Sequence, residues 1–333
     1  MPEQNRERIS VVTVTFRRPG EVVELFKNLS EQSVLPFELI LIDTAPNDVR
    51  ETEQVVAEKI AGLPFPCHYI RAQGGTWRRN NGIDAAQGDF VAFIDDDIRL
   101  EPGYFEEVLS LFRKDQECRV GGVAGYILNQ FLDADKSPRW RWYRRLKLFT
   151  TYEPGRYDFQ SGYTINRYIQ PLHDGVREID WMGSNCAVWR KEVFEDGLRF
   201  NEFFRDFGVL EDAHLALRAG RKWKILESGK ARCLHLRSPH GRVNSRRLAQ
   251  KTAINYRFVF VDLVPQRTFN QEFRFWRVQL VDLVRFFAYA ARTGGSDSWM
   301  AVVGKAEGIV TALRMHSSEP WRPKPTKVAD VTG

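Results

Sequence analysis

The chain has 333 residues, of which 43% are hydrophobic and 28% are charged. This composition is typical of a globular protein, and the length allows one large α/β domain or two medium ones with a substantial core. The 49 basic and 43 acidic residues leave a net charge of +6, which suits an anionic ligand or an acidic membrane surface but is too small to indicate binding to nucleic acid.

The first 130 residues alternate between two kinds of periodicity. Short apolar, β-branched runs predict strands, and apolar residues three and four apart predict helices. The predicted strands are Ile9–Thr15, Glu38–Asp43, Cys67–Arg71 and Asp89–Ile94, and the predicted helices are Gly20–Glu31, Glu51–Ala61 and Trp77–Ala86. This alternation predicts an α/β fold with a mostly parallel sheet flanked by helices. In such sheets, ligands bind beyond the carboxyl ends of the strands.

Beyond residue 130 the pattern changes. Residues 128–178 are rich first in aromatic and basic residues and then in Gly, Pro and Asp, which predicts a long, partly mobile excursion from the sheet. Past Pro265, apolar spacing predicts helices at Phe273–Arg292 and Met300–Met315. Prolines spaced through the last residues predict disorder. We therefore expect an α/β domain at residues 1–242, a C-terminal helical appendage at 243–319 and a disordered tail at 320–333.

Three consecutive carboxylates, Asp95, Asp96 and Asp97, directly follow the fourth predicted strand. They repel one another, and nothing about the end of a strand requires them. A divalent cation such as Mg²⁺ or Mn²⁺ would neutralise them, and a diphosphate would complete its coordination. The alternative is a solvated acidic turn that caps a helix starting near Pro102.

A glycine pair, Gly74-Gly75, leads into a predicted helix that carries Arg78 and Arg79 in its first turns. Backbone N–H groups at a helix start, together with guanidinium groups, form a natural phosphate site. A loop with solvated arginines is the alternative for this segment.

Three further segments carry polar groups that suit a site. Glu211 and Asp212 begin a predicted helix, where acidic residues also complement the helix dipole. The small-residue turn Trp181–Asn185 could receive a sugar ring against the indole, or Trp181 is part of the core. His235 lies in a strand-like segment, and its neutral imidazole would complete an acidic metal site. A core histidine with satisfied hydrogen bonds is the alternative.

The order and spacing of these segments resemble family 2 glycosyltransferases, which are nucleotide-sugar-dependent enzymes of the GT-A fold. The resemblance extends from Ile9 to Arg242. It rests on the opening strand and loop at 11–19 (VVTVTFRRP), the second strand at 41–43 (LID), the R-N-x-G-like segment at 79–83 (RNNGI), the D-x-D motif at 95–97, the acceptor-side glycine loop at 182–185 (MGSN), and the E-D motif at 211–212.

The resemblance implies a role for each matching residue. The nucleotide sugar would contact Thr15, Arg17, Asp43, Arg79, Asp95 and Asp96. The divalent cation would be held by Asp95, Asp97 and His235. The acceptor would contact Trp181, Gly183, Ser184 and Glu211. Asp212 would be the general base.

The implied reaction is transfer of a sugar, with inversion, from a nucleotide-diphosphate sugar to a hydroxyl of a glycan or a lipid-linked acceptor. A UDP-sugar is the expected donor. A bound cation would stabilise the diphosphate that leaves, and a carboxylate would take the proton of the attacking hydroxyl. Two alternatives stay open. They are a nucleotidyltransferase that acts on sugar phosphates and a catalytically inactive sugar-binding protein.

The sequence predicts a cytoplasmic protein. Residues 1–8 are polar and contain no apolar signal region, and the four cysteines are dispersed, which suits a reducing compartment. The most apolar stretch, Val278 to Ala291, is interrupted by Asp282 and Arg285 and is too short to span a membrane. Arg139–Lys147 interleaves basic and aromatic residues, which predicts contact with anionic lipid at the inner face of the plasma membrane. Alternatively, these aromatic residues pack on the sheet or line the acceptor cleft.

Overall fold

The computed structural model describes residues 7–75, 78–205, 208–238 and 244–316, and its first 130 residues alternate between strands and helices as predicted. The strands are β1 (Ile9–Thr15), β2 (Glu38–Asp43), β3 (Cys67–Arg71), β4 (Phe90–Ile94), β5 (Ile98–Leu100) and β6 (Val120–Ile127). The helices are α1 (Pro19–Ser30), α2 (Glu51–Lys59), α3 (Arg79–Ala85) and α4 (Tyr104–Lys114). Strands β1 to β3 have the predicted bounds, because short apolar runs between polar turns leave little choice of ends. Trp77, where the third helix was predicted to begin, lies outside the described residues.

The excursion at 128–178 contains a helix and three short strands. The elements from here to residue 238 are α5 (Pro138–Arg145), β7 (Tyr157–Asp158), β8 (Tyr163–Thr164), β9 (Val176–Ile179), β10 (Cys186–Arg190), α6 (Glu211–Ala219) and β11 (Lys224–His235). Strands β7 and β8 form a separate two-stranded sheet.

Three helices follow: α7 (Ser245–Leu263), α8 (Phe269–Thr293) and α9 (Ser296–Leu313). The two predicted C-terminal helices lie largely within α8 and α9, each of which starts four residues earlier than predicted. Thr268 and Gln271 form a capping box that fixes the start of α8. None of the described helices is both long enough and apolar enough to cross a membrane. The predicted boundary at 242 and the tail at 320–333 lie outside the described residues.

The central sheet has nine strands in the order β3-β2-β1-β4-β10-β6-β11-β5, with β9 paired to β11. Strands β1 to β4 are parallel neighbours, as predicted. Strand β10 is antiparallel to both of its neighbours, β4 and β6, so the second half of the sheet is mixed. The register pairs Thr15 with Asp43 and Val12 with Phe93, which brings the loops after β1, β2 and β4 to one edge of the sheet.

Apolar side chains cover both faces of the sheet. Leu25 of α1 and Val108 of α4 belong to the core on one face, and Ile83 of α3 and Leu215 of α6 belong to the core on the other. Burial of each such side chain contributes about 1.5–3 kcal/mol. The helices therefore hold the strands in place, and the polar loops at the carboxyl edge are left for a site.

A third, aromatic core ties α5 to the C-terminal helices. Trp140 and Tyr143 of α5 are buried, and they pack with aromatic residues of the excursion and with Tyr256 of α7 and Phe275 of α8. The inner side of Arg139–Lys147 therefore packs inside the protein, as one of the two interpretations of this segment predicts. Trp142 remains 54% exposed on the outer side.

Candidate active site

The three aspartates after β4 lie in three different environments. Asp95 accepts a hydrogen bond from Arg79 across 2.6 Å. Asp96 is only 2% exposed, and it accepts from the Thr15 hydroxyl at 2.7 Å and from Arg18 at 2.8 Å. A solvated acidic turn would leave these carboxylates in water, so the structure favours a built site over that alternative.

Asp97, the third aspartate, is also buried. Its Oδ1 is 3.3 Å from Nε2 of His235, and its Oδ2 accepts from the backbone N–H of Ser238 at 3.1 Å. Strand register produces the first contact, because His235 pairs with Ile98, the residue after Asp97.

Burial affects Asp96 and Asp97 differently. It raises the pKa of Asp96 to about 6, although Arg18 and the Thr15 hydroxyl oppose this shift. Burial also disfavours the charged form of Asp97, but His235 and Arg18 outweigh it and hold the pKa of Asp97 below its ordinary value. Of these two side chains, Asp97 is therefore the one whose surroundings favour the negatively charged form.

Arg18 is a site residue that the sequence analysis missed. Arg17, the predicted ligand, is exposed, has a left-handed φ of 54° and lies over the ring of Phe16. The side chain of the next residue, Arg18, approaches both Asp96 and Asp97, the latter at 3.5 Å. The adjacent basic residues after β1 were a usable signal, but the sequence does not tell which of them faces the acidic turn.

Two predicted nucleotide contacts, Thr15 and Asp43, are buried beside each other at the ends of β1 and β2. Thr15 donates to Asp96. Asp43 accepts from the hydroxyl of Tyr69 at 2.7 Å and from the backbone N–H of Ala45 at 2.8 Å. Both oxygens of Asp43 therefore already have partners, and Tyr69 joins the predicted residues at this edge.

Arg79 connects the aspartates to the second acidic pair. It lies in the first turn of α3, is only 5% exposed, and its guanidinium is 2.6 Å from Asp95 and 3.5 Å from Glu211. Burial lowers the pKa of Arg79, but Asp95 and Glu211 outweigh it and raise the pKa above its ordinary value. A loop with solvated arginines is thus excluded for this residue.

Glu211 and Asp212 begin α6 immediately after Leu210, whose φ of 70° is left-handed and uncommon for a leucine. Burial, with the neighbouring Asp212 charge, raises the pKa of Glu211 to about 7, against the opposing effect of Arg79. Burial also raises the pKa of Asp212. Carboxyl groups with raised pKa values in a cleft are suited to accepting a proton near neutral pH.

A cleft of about 410 Å³ lies beside this pair. Trp181, Gly183, Glu211 and Asp212, all predicted from the sequence, line it together. A Cβ on Gly183 would lie 3.3 Å from Oδ2 of Asp212 and 2.8 Å from Oδ1 of Asn185, so the absence of a side chain lets the loop approach the carboxylate. Ser184 is buried, and its backbone hydrogen bond favours the charged form of Asp212.

Part of the cleft lining comes from residues outside the predicted set of site residues. It includes Arg139 and Trp140 of α5, Tyr163 of β8 and Tyr256 of α7. The rings of Tyr163 and Tyr256 stack with centroids 4.2 Å apart. Because Tyr256 lies beyond residue 242, the C-terminal helical region contributes directly to the cleft.

The two side chains that are suited to bind a divalent cation are those of Asp97 and His235. A carboxylate oxygen and an imidazole nitrogen face each other there, and both are ligands that Mn²⁺ accepts. Gln130 lies 2.8 Å from Nδ1 of His235 and orients the ring. Asp95 is engaged by Arg79 instead. Within the described ranges, no group of three or more His, Cys, Asp and Glu side chains is arranged to hold a metal ion.

Comparison with known proteins identifies relatives of this chain. The sequence model of the family described as Glycosyl transferase family 2 matches residues 10–169. The uncharacterized glycosyltransferase YwdF of Bacillus subtilis is 30% identical over 192 residues, which cover 55% of this chain and 65% of YwdF. The match thus spans less than two thirds of that relative.

Two solved structures resemble the fold. The mannosyltransferase PcManGT from Pyrobaculum calidifontis, in complex with GDP-Man and Mn²⁺, has a TM-score of 0.56 at 14% identity and covers 92% of this chain and 87% of its own. GalNAc-T7, with UDP, GalNAc and Mn²⁺, has a TM-score of 0.56 at 13% identity and covers 83% of this chain and 51% of its own. The predicted α/β fold with C-terminal helices is confirmed. Residues 10–169 match the sequence model of glycosyl transferase family 2, which is the family that the sequence resemblance predicted.

Proposed function

We propose that the protein transfers a sugar from a nucleotide-diphosphate sugar to a hydroxyl group of an acceptor, with inversion at the anomeric carbon. The observation that carries this proposal is the position of Arg79, whose guanidinium contacts Asp95 of the D-x-D motif and lies 3.5 Å from Glu211 beside the cleft. The buried guanidinium of Arg79 thereby links the donor-side carboxylates to the carboxyl pair that would face the acceptor.

The donor would lie at the carboxyl edge of β1, β2 and β4. The nucleotides in the two similar structures, GDP-Man in one and UDP in the other, support a nucleotide-sugar donor, and we propose a UDP-sugar. Arg18 and Arg79 supply positive charge among the aspartates of this edge. Thr15 holds the buried carboxyl of Asp96 in place, and Asp43 with Tyr69 would shape the end where the base and ribose lie.

Asp97 and His235 would hold Mg²⁺ or Mn²⁺. Both similar structures contain Mn²⁺, which supports a divalent metal here. When bound, such a cation neutralises negative charge on the departing diphosphate. Arg18, 3.5 Å from Asp97, would contribute a second positive charge to the same group.

The acceptor would enter the cleft between Trp181 and α5, and Asp212 would act as the general base. In a single displacement, the acceptor oxygen forms a bond to the anomeric carbon, the bond to the diphosphate oxygen breaks, and Asp212 takes the acceptor hydroxyl proton. The raised pKa of Asp212 supports this role. Trp181 and Gly183 would contact the acceptor, a glycan or a lipid-linked sugar, while Ser184 holds the loop and Glu211 is paired with Arg79.

The proposal is tested by the release of nucleoside diphosphate from a panel of nucleotide sugars, with Mn²⁺ and with EDTA. We expect release from one donor class that stops in EDTA and in Asp97→Asn. Release of pyrophosphate from a nucleoside triphosphate and a sugar phosphate would instead identify a nucleotidyltransferase. Binding of a nucleotide sugar without any turnover would identify an inactive sugar-binding protein. Either of these two results would overturn the proposal.

A further inference from the structure

Helix α8 carries an apolar stripe on the side that faces solvent. The stripe consists of four side chains, each more than half exposed, at spacings of seven, four and three residues: Phe273, Leu280, Val284 and Phe287. These spacings place the four residues along one side of the helix over about 21 Å. A helix that faces water normally confines its apolar residues to the buried side. The stripe therefore requires a partner.

Buried polar contacts prevent α8 from turning to hide this stripe. On its inner side, Gln279 accepts a hydrogen bond from Nζ of the buried Lys305 at 2.7 Å. Asp282, also buried, accepts from the hydroxyls of Tyr143 and Tyr163. Rotation of the helix would bury the stripe only by leaving these groups without partners, which is strongly unfavourable.

Exposed aromatic side chains also lie on the two helices that contact α8, which are α5 and α9. Phe287 packs edge to face against Trp299 of α9, with ring centroids 5.3 Å apart. Arg277 donates to the backbone carbonyl of Lys147 at 2.6 Å, which joins α8 to the segment just after α5. Trp142 of α5 is exposed. We call the stripe together with Trp142 and Trp299 the α8 surface.

The charges on α8 and on the exposed side of α5 are mostly positive, and the exposed Asp297, two residues before Trp299 in α9, is an acidic exception at the edge of the α8 surface. Helix α8 contains two acidic residues, and both are engaged: Glu272 pairs with Arg257 and Arg267, and Asp282 is buried among its partners. Its basic residues are Arg274, Arg277, Arg292 and Arg285, the last of which pairs with Asp282. The exposed Arg141 and Arg145 of α5, and Lys147 just after this helix, add to the positive charge. Two copies of this surface would repel each other, whereas an anionic partner would be attracted.

We propose that the α8 surface docks on an anionic lipid bilayer. Aromatic rings and long cationic side chains around an apolar stripe are the combination that binds at the headgroup level. Helix α5 relates this surface to the cleft, because its inner side carries Arg139 and Trp140 of the cleft wall and its outer side carries Trp142. This inference rests on the function proposed above: docking would hold the cleft close to a membrane that carries a lipid-linked acceptor.

Vesicle flotation of the full chain tests this proposal. We expect the protein to float with mixed phosphatidylcholine–phosphatidylglycerol vesicles at low salt, to float less as salt is added, and not to float with phosphatidylcholine alone. The double variant Phe273→Ser/Leu280→Ser should lose binding by more than about tenfold, because two exposed apolar groups no longer enter the bilayer. Leu35→Ser removes a similarly exposed side chain far from α8 along the chain, and it should float like the wild type. Circular dichroism establishes that each variant is folded.

Three results would overturn the proposal: no flotation of the wild type with mixed vesicles at low salt, equal flotation of the double variant, or a dimer in light scattering that the double variant separates while neither protein floats. Donor hydrolysis measured without vesicles reports separately on the proposed function. Hydrolysis without flotation rejects only the docking surface, and flotation without hydrolysis rejects only the transferase.

Discussion

Arg79 donates a hydrogen bond to Asp95 across 2.6 Å, and only 6% of the arginine side chain is exposed. The same guanidinium lies 3.5 Å from Glu211 on α6. The buried guanidinium therefore fixes the distance between the two halves of the candidate site. Its removal leaves both carboxylates without their partner in a poorly hydrated environment.

We expect Arg79→Met to lower the free energy of unfolding by about 3–5 kcal/mol, because it breaks a buried ion pair by removing one partner. Urea denaturation measures this loss. Arg119→Met is the matched control, since Arg119 pairs with Glu117 and both side chains are exposed, so its loss should cost no more than about 1 kcal/mol. Equal losses in the two variants would show that Arg79 is not the link described here.

Asp212→Asn should lower kcat by about 10²–10⁴-fold, the range for loss of a general base. The affinity for the donor should stay nearly unchanged, because Asp212 lies in the cleft wall and not among the donor-side aspartates. Steady-state kinetics and nucleotide titration separate the two effects. Asp196→Asn, at an exposed position, should leave both unchanged. A variant that loses donor binding in proportion to rate would move Asp212 to the donor side.

Asp97→Asn and His235→Gln should each weaken the binding of UDP in the presence of Mn²⁺ and leave the weaker binding in EDTA unchanged. The reason is that Asp97→Asn removes the negative charge of the facing pair and His235→Gln removes its imidazole nitrogen, whereas neither is proposed to contact the nucleotide directly. Isothermal titration with and without Mn²⁺ makes this comparison. If the variants weaken binding equally in EDTA, the pair contacts the nucleotide itself.

Glu211 gives the stability of the protein a pH dependence of defined sign. Burial raises its pKa from 4.5 to about 7, so the folded protein binds this proton more tightly than the unfolded chain. The contribution of Glu211 to the free energy of unfolding therefore decreases as pH rises through that interval. Glu211→Gln stays neutral, so its stability relative to the wild type should improve between about pH 5 and about pH 8. Urea denaturation at both pH values checks this, and a constant difference would contradict it.

Local pattern was enough to predict strands β1 to β4, because each is a short apolar run with polar turns on both sides. It was also enough to find the aspartate turn and the Glu211–Asp212 pair, which are charges at the ends of buried elements. The local pattern does not show which strands pair when they are far apart in the chain. Strand β10 enters the sheet antiparallel between β4 and β6, a choice that depends on residues far apart in the chain.

Side-chain direction was the second limit of sequence reasoning. Arg17 and Arg18 are chemically equal in the sequence. In the structure, Arg17 has a left-handed backbone and Arg18 is the residue that reaches the aspartates. Likewise, Arg139–Lys147 divides between a buried side with Trp140 and an exposed side with Trp142. The expectation of packing therefore concerns the buried side chains of this helix, and the expectation of surface contact concerns its exposed ones.

The pairing of His235 with Ile98 joins residues that are far apart in the order of synthesis. On a ribosome, the aspartate turn is made long before β11, so Asp97 has no imidazole partner until His235 of the 333 residues has been added and has left the exit tunnel. A nascent chain that stops before His235 would contain the family-matched residues 10–169 and still lack this partner. The pair of Asp97 and His235 can therefore form only after β11 has been synthesised to its end.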